Sequence, residues 1–173
     1  ENNKIFEFLK EQGFKSTSER LKSNSFISDN ISIKEKISEN KPKYKIIKTK
    51  KEFEKILNDI EAKGECAIDT ETNSLQIEKA KLVGISLCFN EDSSYYIPLN
   101  HTNIDGSKKI ENQLDEEYVI KHINKICKNE SILKIGQNIK YDIRVLNKYG
   151  VTFNSIADTM LISYSIDNGI YKH

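Results

Sequence analysis

Apolar residues recur along this chain with two periods, and the points where one period gives way to the other divide it into elements. Ile5, Phe6, Phe8 and Leu9 stand at helical spacing between Asn3 and Gln12, and Gly13 follows where such a helix would end. A short second helix is expected from Thr17 to Leu21. From Lys22 to Asn40, Ser, Asn and Lys surround single Ile residues that no period organises, which predicts a linker. Order is expected to resume with a strand at Tyr44 to Lys48. Thr49, with Glu52 three residues later, forms a capping box. The helix it opens carries an apolar stripe of Phe53, Ile56, Leu57 and Ile60 and stops at Gly64.

Three strands are expected next, at Glu65 to Thr70, Lys81 to Phe89 and Ser93 to Leu99, the last two joined by Asn90, Glu91 and Asp92 as an antiparallel meander. After a polar loop through Gly106, a helix from Asp115 presents Val119, Ile123, Ile126 and Cys127. A strand at Ile132 to Ile135 and a helix from Asn138 to Tyr149, closed by Gly150, follow. Asp158 caps a last helix with Met160, Leu161 and Ile162. A meander followed by alternating strands and helices predicts an α/β fold, a mixed sheet covered by helices on both faces. No internal repeat is visible.

The 173 residues suit one compact domain with an appendage. Charge is balanced at +1, and no apolar run approaches the roughly 18 to 20 residues of a membrane span, so a soluble, cytoplasmic protein is expected. The chain holds 25 Lys but 2 Arg, with 26 Ile, 17 Asn and 4 Ala, a bias expected of an A/T-rich genome. Lysine is then a default polar filler, and its abundance says little about nucleic acid. Residues 1 to 63 carry 15 basic and 11 acidic groups, residues 64 to 173 carry 12 and 15. The run Lys41, Lys43, Lys45, Lys48, Lys50 and Lys51 reads first as a solvated strand face and second as a phosphate contact. Cys66, Cys88 and Cys127 have no zinc spacing and read as three buried, reduced thiols. Residue 1 is Glu, and nothing in the opening stretch resembles a signal peptide, which predicts an internal fragment of a cytosolic protein.

Asp-x-Glu occurs at Asp59/Glu61, Asp69/Glu71 and Asp115/Glu117. The first lies at a helix end, and the third at a helix N-terminus, where acids complement the dipole. Asp69 and Glu71 instead finish an apolar strand whose period of two turns both carboxylates to one side, with Ile68 and Thr70 on the other. Two like charges on one sheet face repel unless a cation lies between them, and Mg²⁺ or Mn²⁺ takes carboxylate oxygens. Gly136-Gln137-Asn138-Ile139-Lys140-Tyr141-Asp142 turns from strand to helix and puts Asn138 and Asp142 one turn apart on a common face, making Asp142 the candidate third carboxylate; its alternative is a plain surface acid. His101, His122 and His173 read as solvated histidines, and no Ser/His/Asp or Cys/His set stands out.

Ala67-Ile68-Asp69-Thr70-Glu71-Thr72-Asn73-Ser74-Leu75 and the run from Lys134 to Asp142 resemble the first two exonuclease motifs of the bacterial (family A) DNA polymerase I family, within the DEDD exonuclease superfamily. Tyr95-Tyr96-Ile97-Pro98 and Asp158-Thr159-Met160-Leu161 are similar to that family in order and spacing, so the resemblance runs from about Lys43 to Tyr171. Residues 1–22 more loosely resemble the tail of a 5′-nuclease domain. The resemblance implies three parts: that tail, a linker at 23–42, and a 3′–5′ exonuclease-like domain at 43–173 with an RNase H-like fold. It implies two-metal hydrolysis, with Mg²⁺ or Mn²⁺, of single-stranded or frayed 3′ ends of DNA for proofreading. The partners are then DNA and the remainder of a monomeric polymerase chain, with no membrane.

Carried over residue by residue, Asp69 bridges both ions, Glu71 completes the first site and Asp142 holds the second. Thr72 and Leu75 meet the terminal nucleotide, Leu75 as a wedge that the pattern alone would read as core. Gln137 and Asn138 meet the strand backbone, with Lys140 and Tyr141 as further contacts. The family's third motif, Tyr-x-x-x-Asp, has no counterpart in these 173 residues, because Asn168 stands four after Tyr164. Alone they are therefore expected to be inactive. The alternatives are an RNase D-like or helicase-associated exonuclease, against which the 5′-nuclease-like tail argues, and a degenerate non-catalytic scaffold, against which three retained acids argue.

Overall fold

The structure, a computed structural model, describes residues 2–14 and 43–167. The helix expected at Thr17 to Leu21, the linker and His173 lie outside them. Residues 40–162 form one compact unit, and residues 1–39 with 163–173 form another. Within the second, helix α1 spans Asn2–Glu11 and ends before Gly13, with Ile5 and Phe8 exposed.

The larger unit is built on six strands: β1 (Lys43–Ile46), β2 (Glu65–Thr72), β3 (Leu82–Asn90), β4 (Ser93–Pro98), β5 (Leu133–Gly136) and β6 (Ile156–Asp158). Their spatial order is β1-β4-β3-β2-β5-β6. β2, β3 and β4 are the antiparallel meander, while β1 joins β4, β5 joins β2 and β6 joins β5 in parallel. Asn90 makes the β3–β4 turn, its Oδ1 accepting from the backbone N–H of Asp92 and Ser93. β1 is an edge strand with every residue exposed, which agrees with a solvated lysine-bearing face.

Helix α2 (Lys50–Lys63) opens with the expected capping box, Thr49 Oγ1 accepting from Glu52 N–H and Glu52 Oε2 from Thr49 N–H. Helix α3 (Glu116–Lys128) opens on Asp115, which accepts from Tyr118 N–H, so the Asp115/Glu117 pair has its structural explanation. Helices α4 (Lys140–Asn147) and α5 (Thr159–Asp167) complete the set. Phe53 and Ile60 of α2 and Val119 and Ile123 of α3 are fully buried, packed with Ile85 and Ile97 of the sheet.

The mixed sheet is flanked by helices as expected, but its two faces are not covered equally. In β2, Cys66, Ile68 and Thr70 are buried, whereas Ala67 and Asp69 on the other face are not. Among the described residues of this unit that second face is an open groove of about 370 Å³, lined by Ala67, Asp69, Ser86, Ser94, Ile135 and Gly136 among others. Its lining mixes Ala67, Ile135 and Leu87 with Asp69, Ser86 and Ser94, so it is an apolar floor edged by polar groups. Three further expectations are corrected. β6 is a strand where only the cap at Asp158 was legible, since three residues display no period. The helix expected from Asn138 begins at Lys140, because Asn138 sits at φ +55°, a left-handed conformation that Asn tolerates better than most. Cys88 is half-buried, its Sγ donating to the Asn90 carbonyl, while Cys66 and Cys127 are buried, with thiols pushed up to about 11 and 12 by desolvation.

Candidate active site

β2 runs two residues past the expected strand end and carries Asp69 and Glu71 side by side on the open face. Its register against β3 shifts between Glu71 and Thr72, and this bulge marks where the chain leaves the sheet. On its other edge β2 pairs with β5 only from Glu65 to Ala67, since β5 stops at Gly136. The Thr70 N–H therefore meets a side chain in place of a strand. It donates to Asp142 Oδ1 at 2.8 Å, and Thr70 Oγ1 donates to the same oxygen at 2.6 Å. A missing β rung thus becomes the socket that seats a carboxylate from α4.

The tight path from β5 to α4 delivers that carboxylate. A Cβ on Gly136 would stand 2.8 Å from Ile139 Cγ1, so only glycine lets buried Ile139 fold back this closely. Asn138 turns the chain, and its N–H donates to Asp158 Oδ1 at 2.9 Å. Asn138 is therefore off the helical face of Asp142, contrary to the sequence expectation, and its buried Oδ1 has no hydrogen-bond partner. Gln137 is exposed, with Oε1 accepting from Thr159 Oγ1 at 2.7 Å, and Lys140 is exposed.

Asp142 is 2% exposed. Burial pushes its carboxyl above the usual range and outweighs the two Thr70 bonds, and the Glu71 charge adds to the rise. Asp69 is raised as well, by burial first and then by the charges of Asp142 and Glu71. The described ion pairs, Lys63–Glu65, Lys108–Glu111 and Arg144–Glu78, neutralise none of the three. Among the described residues no three His, Cys, Asp or Glu side chains converge directly on one ion position. Asp142 commits Oδ1 to Thr70, which leaves its second oxygen for another partner. A donor set of uncompensated carboxylate oxygens suits Mg²⁺ or Mn²⁺, and the lack of convergence of all three on one point suits Mg²⁺, which holds several of its waters.

The raised carboxyls carry a pH signature. An acid whose folded pKa exceeds its unfolded value binds protons more readily when folded, so stability falls as pH rises from the ordinary 3.8 through the folded value and is not regained above it. Without metal, Asp69 and Asp142 therefore oppose folding at neutral pH. Asp69→Asn is expected to raise the melting temperature in EDTA at about pH 7 and to change it little near pH 4. Equal melting shifts at the two pH values contradict this.

Leu75 is 91% exposed, at the tip of the loop from β2 to β3. That corrects the reading of an isolated Leu as core. The loop is held from one side by α4 and the residues just after it. Tyr141 Oη lies 2.6 Å from Thr72 Oγ1 and donates to the Ser74 carbonyl at 2.9 Å. Arg144 pairs with Glu78 at 3.5 Å. Lys148 Nζ donates to the carbonyls of Ile77 and Ala80 at 2.8 and 2.6 Å, and Tyr149 Oη accepts from Leu82 N–H at 2.9 Å. Sequence reasoning missed Thr70, Arg144, Lys148 and Tyr149; Lys148 was hidden by the abundance of lysine. Nor are His101 and His122 simply solvated. His101 Nε2 lies 2.6 Å from Tyr96 Oη, and His122 Nδ1 lies 2.8 Å from the Tyr118 carbonyl.

A family model described as 3′-5′ exonuclease matches residues 44–169. DNA polymerase I of Rhizobium leguminosarum is 37% identical over 128 residues, 66% of this chain and 13% of that protein. DNA polymerase I of Borreliella burgdorferi is 38% identical over 128 residues, 72% of this chain and again 13% of the relative. The chain thus spans a small part of the polymerases it matches. In three dimensions it is similar to S. pombe Pop2p in its Mg²⁺- and Mn²⁺-bound form, with a TM-score of 0.60 at 13% identity over 75% of this chain and 78% of that one. This likeness, at the level of fold, matches the RNase H-like architecture that the sequence implied.

Proposed function

Because the chain belongs to the 3′-5′ exonuclease family, we propose that it is the proofreading exonuclease part of a bacterial DNA polymerase I and acts on single-stranded or frayed 3′ ends of DNA. The observation that carries the reading is the seat of Asp142 on Thr70, which joins a carboxylate from α4 to Asp69 and Glu71 at one end of β2. Asp69 would be the shared ligand of two divalent ions, Glu71 would belong to the first site, and Asp142 would serve the second. When bound, such ions supply water activation near neutral pH and neutralise charge on the leaving 3′ oxygen. No side-chain nucleophile is required.

Around the carboxylates the chain's own groups place the strand. Leu75 wedges against the last bases, with Thr72 beside it. Gln137, Asn138 and Lys140 run along the sugar-phosphate backbone. Tyr141 contributes mainly by tying Thr72 and Ser74 to α4. Residues 43–173 are the domain concerned, and the fourth carboxylate comes from a Tyr-x-x-x-Asp motif outside these 173 residues, which on their own are close to inert. A degenerate scaffold is the less economical reading, since an unused site would have no reason to keep three uncompensated acids at one strand end, where Asp69 and Asp142 are both held above the usual carboxylate range.

A chain that runs on through that motif is expected to digest single-stranded and mispaired 3′ ends faster than paired ones, because a terminal nucleotide must unstack before it reaches the carboxylates. Leu75→Ala lowers that preference. Lys148→Met does so too, with a higher KM and faster hydrogen exchange at residues 75–79, because it frees the loop. Equal rates on matched and mismatched primers, for parent and both variants, count against an editing role.

A further inference from the structure

Glu71 has no side chain opposite it. Its cross-strand partner is Gly84, and a Cβ built there would lie 2.1 Å from Tyr96 Oη and 2.4 Å from Tyr96 Cζ. Tyr96 belongs to the next strand, two residues before Pro98, which pairs with Gly84. Its ring leans back along the sheet, so that the hydroxyl occupies the place where a side chain at position 84 would begin. Directly opposed Cβ atoms in an antiparallel pair are about 4.5 to 5.5 Å apart. The Tyr96 hydroxyl is thus the cross-strand neighbour of Glu71, on the same face of the sheet. Burial, and then the Glu71 charge, hold the phenol above its ordinary range.

The phenol is anchored from behind. His101 Nε2 lies 2.6 Å from Tyr96 Oη, with the two rings edge to face at 5.7 Å. His101 is itself pinned through its backbone: its N–H donates to Gln113 Oε1 at 2.7 Å, and its carbonyl accepts from Gln113 Nε2 and Ile110 N–H, each at 2.9 Å. These bonds fix the loop after β4 on the phenol.

We propose that Tyr96, held by His101, is a positioning residue for Glu71: His101 Nε2–H donates to the phenol oxygen, and the Tyr96 O–H then donates to the Glu71 carboxylate and sets which oxygen faces a divalent ion. The proposal rests on the reading of Asp69 and Glu71 as metal ligands. Glu71 stands on an exposed strand end where its side chain has rotamers to lose, and Mg²⁺ demands near-octahedral geometry. A neutral donor orients the carboxylate without the competing positive charge that a lysine would bring.

Groups that orient metal ligands typically cost about 10- to 100-fold in metal affinity when removed. In a Mn²⁺ titration of the full chain by calorimetry, Tyr96→Phe is expected to bind at least tenfold more weakly while its metal-free melting temperature stays at the parent value. His101→Leu follows Tyr96→Phe, and His101→Gln, which keeps an N–H donor, retains most of the affinity. Asp69→Ala is the control. Parent-like Mn²⁺ affinity in Tyr96→Phe, with affinity lost in Asp69→Ala, overturns the role of Tyr96 and leaves the metal site standing. Parent-like affinity in Asp69→Ala overturns both.

Discussion

Asp69→Ala is expected to remove exonuclease activity, by roughly a thousandfold or more, since losing a single preorganised charge-stabilising group already costs about 10²- to 10³-fold in turnover and this one is proposed to serve both ions. The fold survives the change. The Asp69 side chain makes no hydrogen bond or ion pair among the described residues, its neighbours Ile68 and Thr70 hold the buried face of β2, and its own carboxyl is held up by burial and by like charges. Truncating it therefore costs no side-chain hydrogen bond or ion pair and relieves a repulsion. The measurement is mononucleotide release from a 3′-labelled single strand in Mg²⁺, alongside a thermal melt, in a chain that includes the third motif. A variant with turnover within about threefold of the parent is incompatible with a shared metal ligand.

Asp142 separates chemistry from folding in the opposite way. Asp142→Ala is expected to lose activity and also stability, by about 1 to 3 kcal/mol, because the Thr70 N–H and hydroxyl are left without an acceptor at a buried position. Asp142→Asn keeps an oxygen where Oδ1 stands and discards the charge that burial disfavours. It should melt no lower than the parent without metal and still lose activity by about 10²- to 10³-fold. If Asn restores both stability and turnover, Asp142 is a structural acid, the plain reading of a carboxylate on a helix.

What the sequence disclosed followed physical range. The capping box of α2, the Asp115 cap and the meander are local, set by a few consecutive residues, and the structure agrees with them closely. The two Asp69/Glu71 carboxylates were legible from a period of two and from the lack of a structural explanation that the other Asp-x-Glu pairs possess. The third needed more. That Asp142 reaches β2 depends on where β5 stops, a property of strand pairing that no local pattern encodes. β1 beside β4 and the three-residue β6 are equally non-local. Lys134 shows the same limit from another side. The abundance of lysine makes it look like one more polar filler, yet it is fully buried, with Nζ donating to the Asn129 carbonyl at 2.7 Å. The Tyr96–Gly84 nesting and the Lys148 clamp on the Leu75 loop join segments far apart in sequence and could be found only in three dimensions.

The central claim is that these residues serve a metal-dependent exonuclease that works inward from a 3′ end, and its most direct test is the fate of a single-stranded DNA labelled at either end. With the chain extended through Tyr-x-x-x-Asp, a 3′ label should be released at once as a mononucleotide. A 5′ label should shorten step by step, and EDTA should stop both. Early release of a mononucleotide from the 5′ end, internal cleavage, or trimming that persists in EDTA would contradict the account.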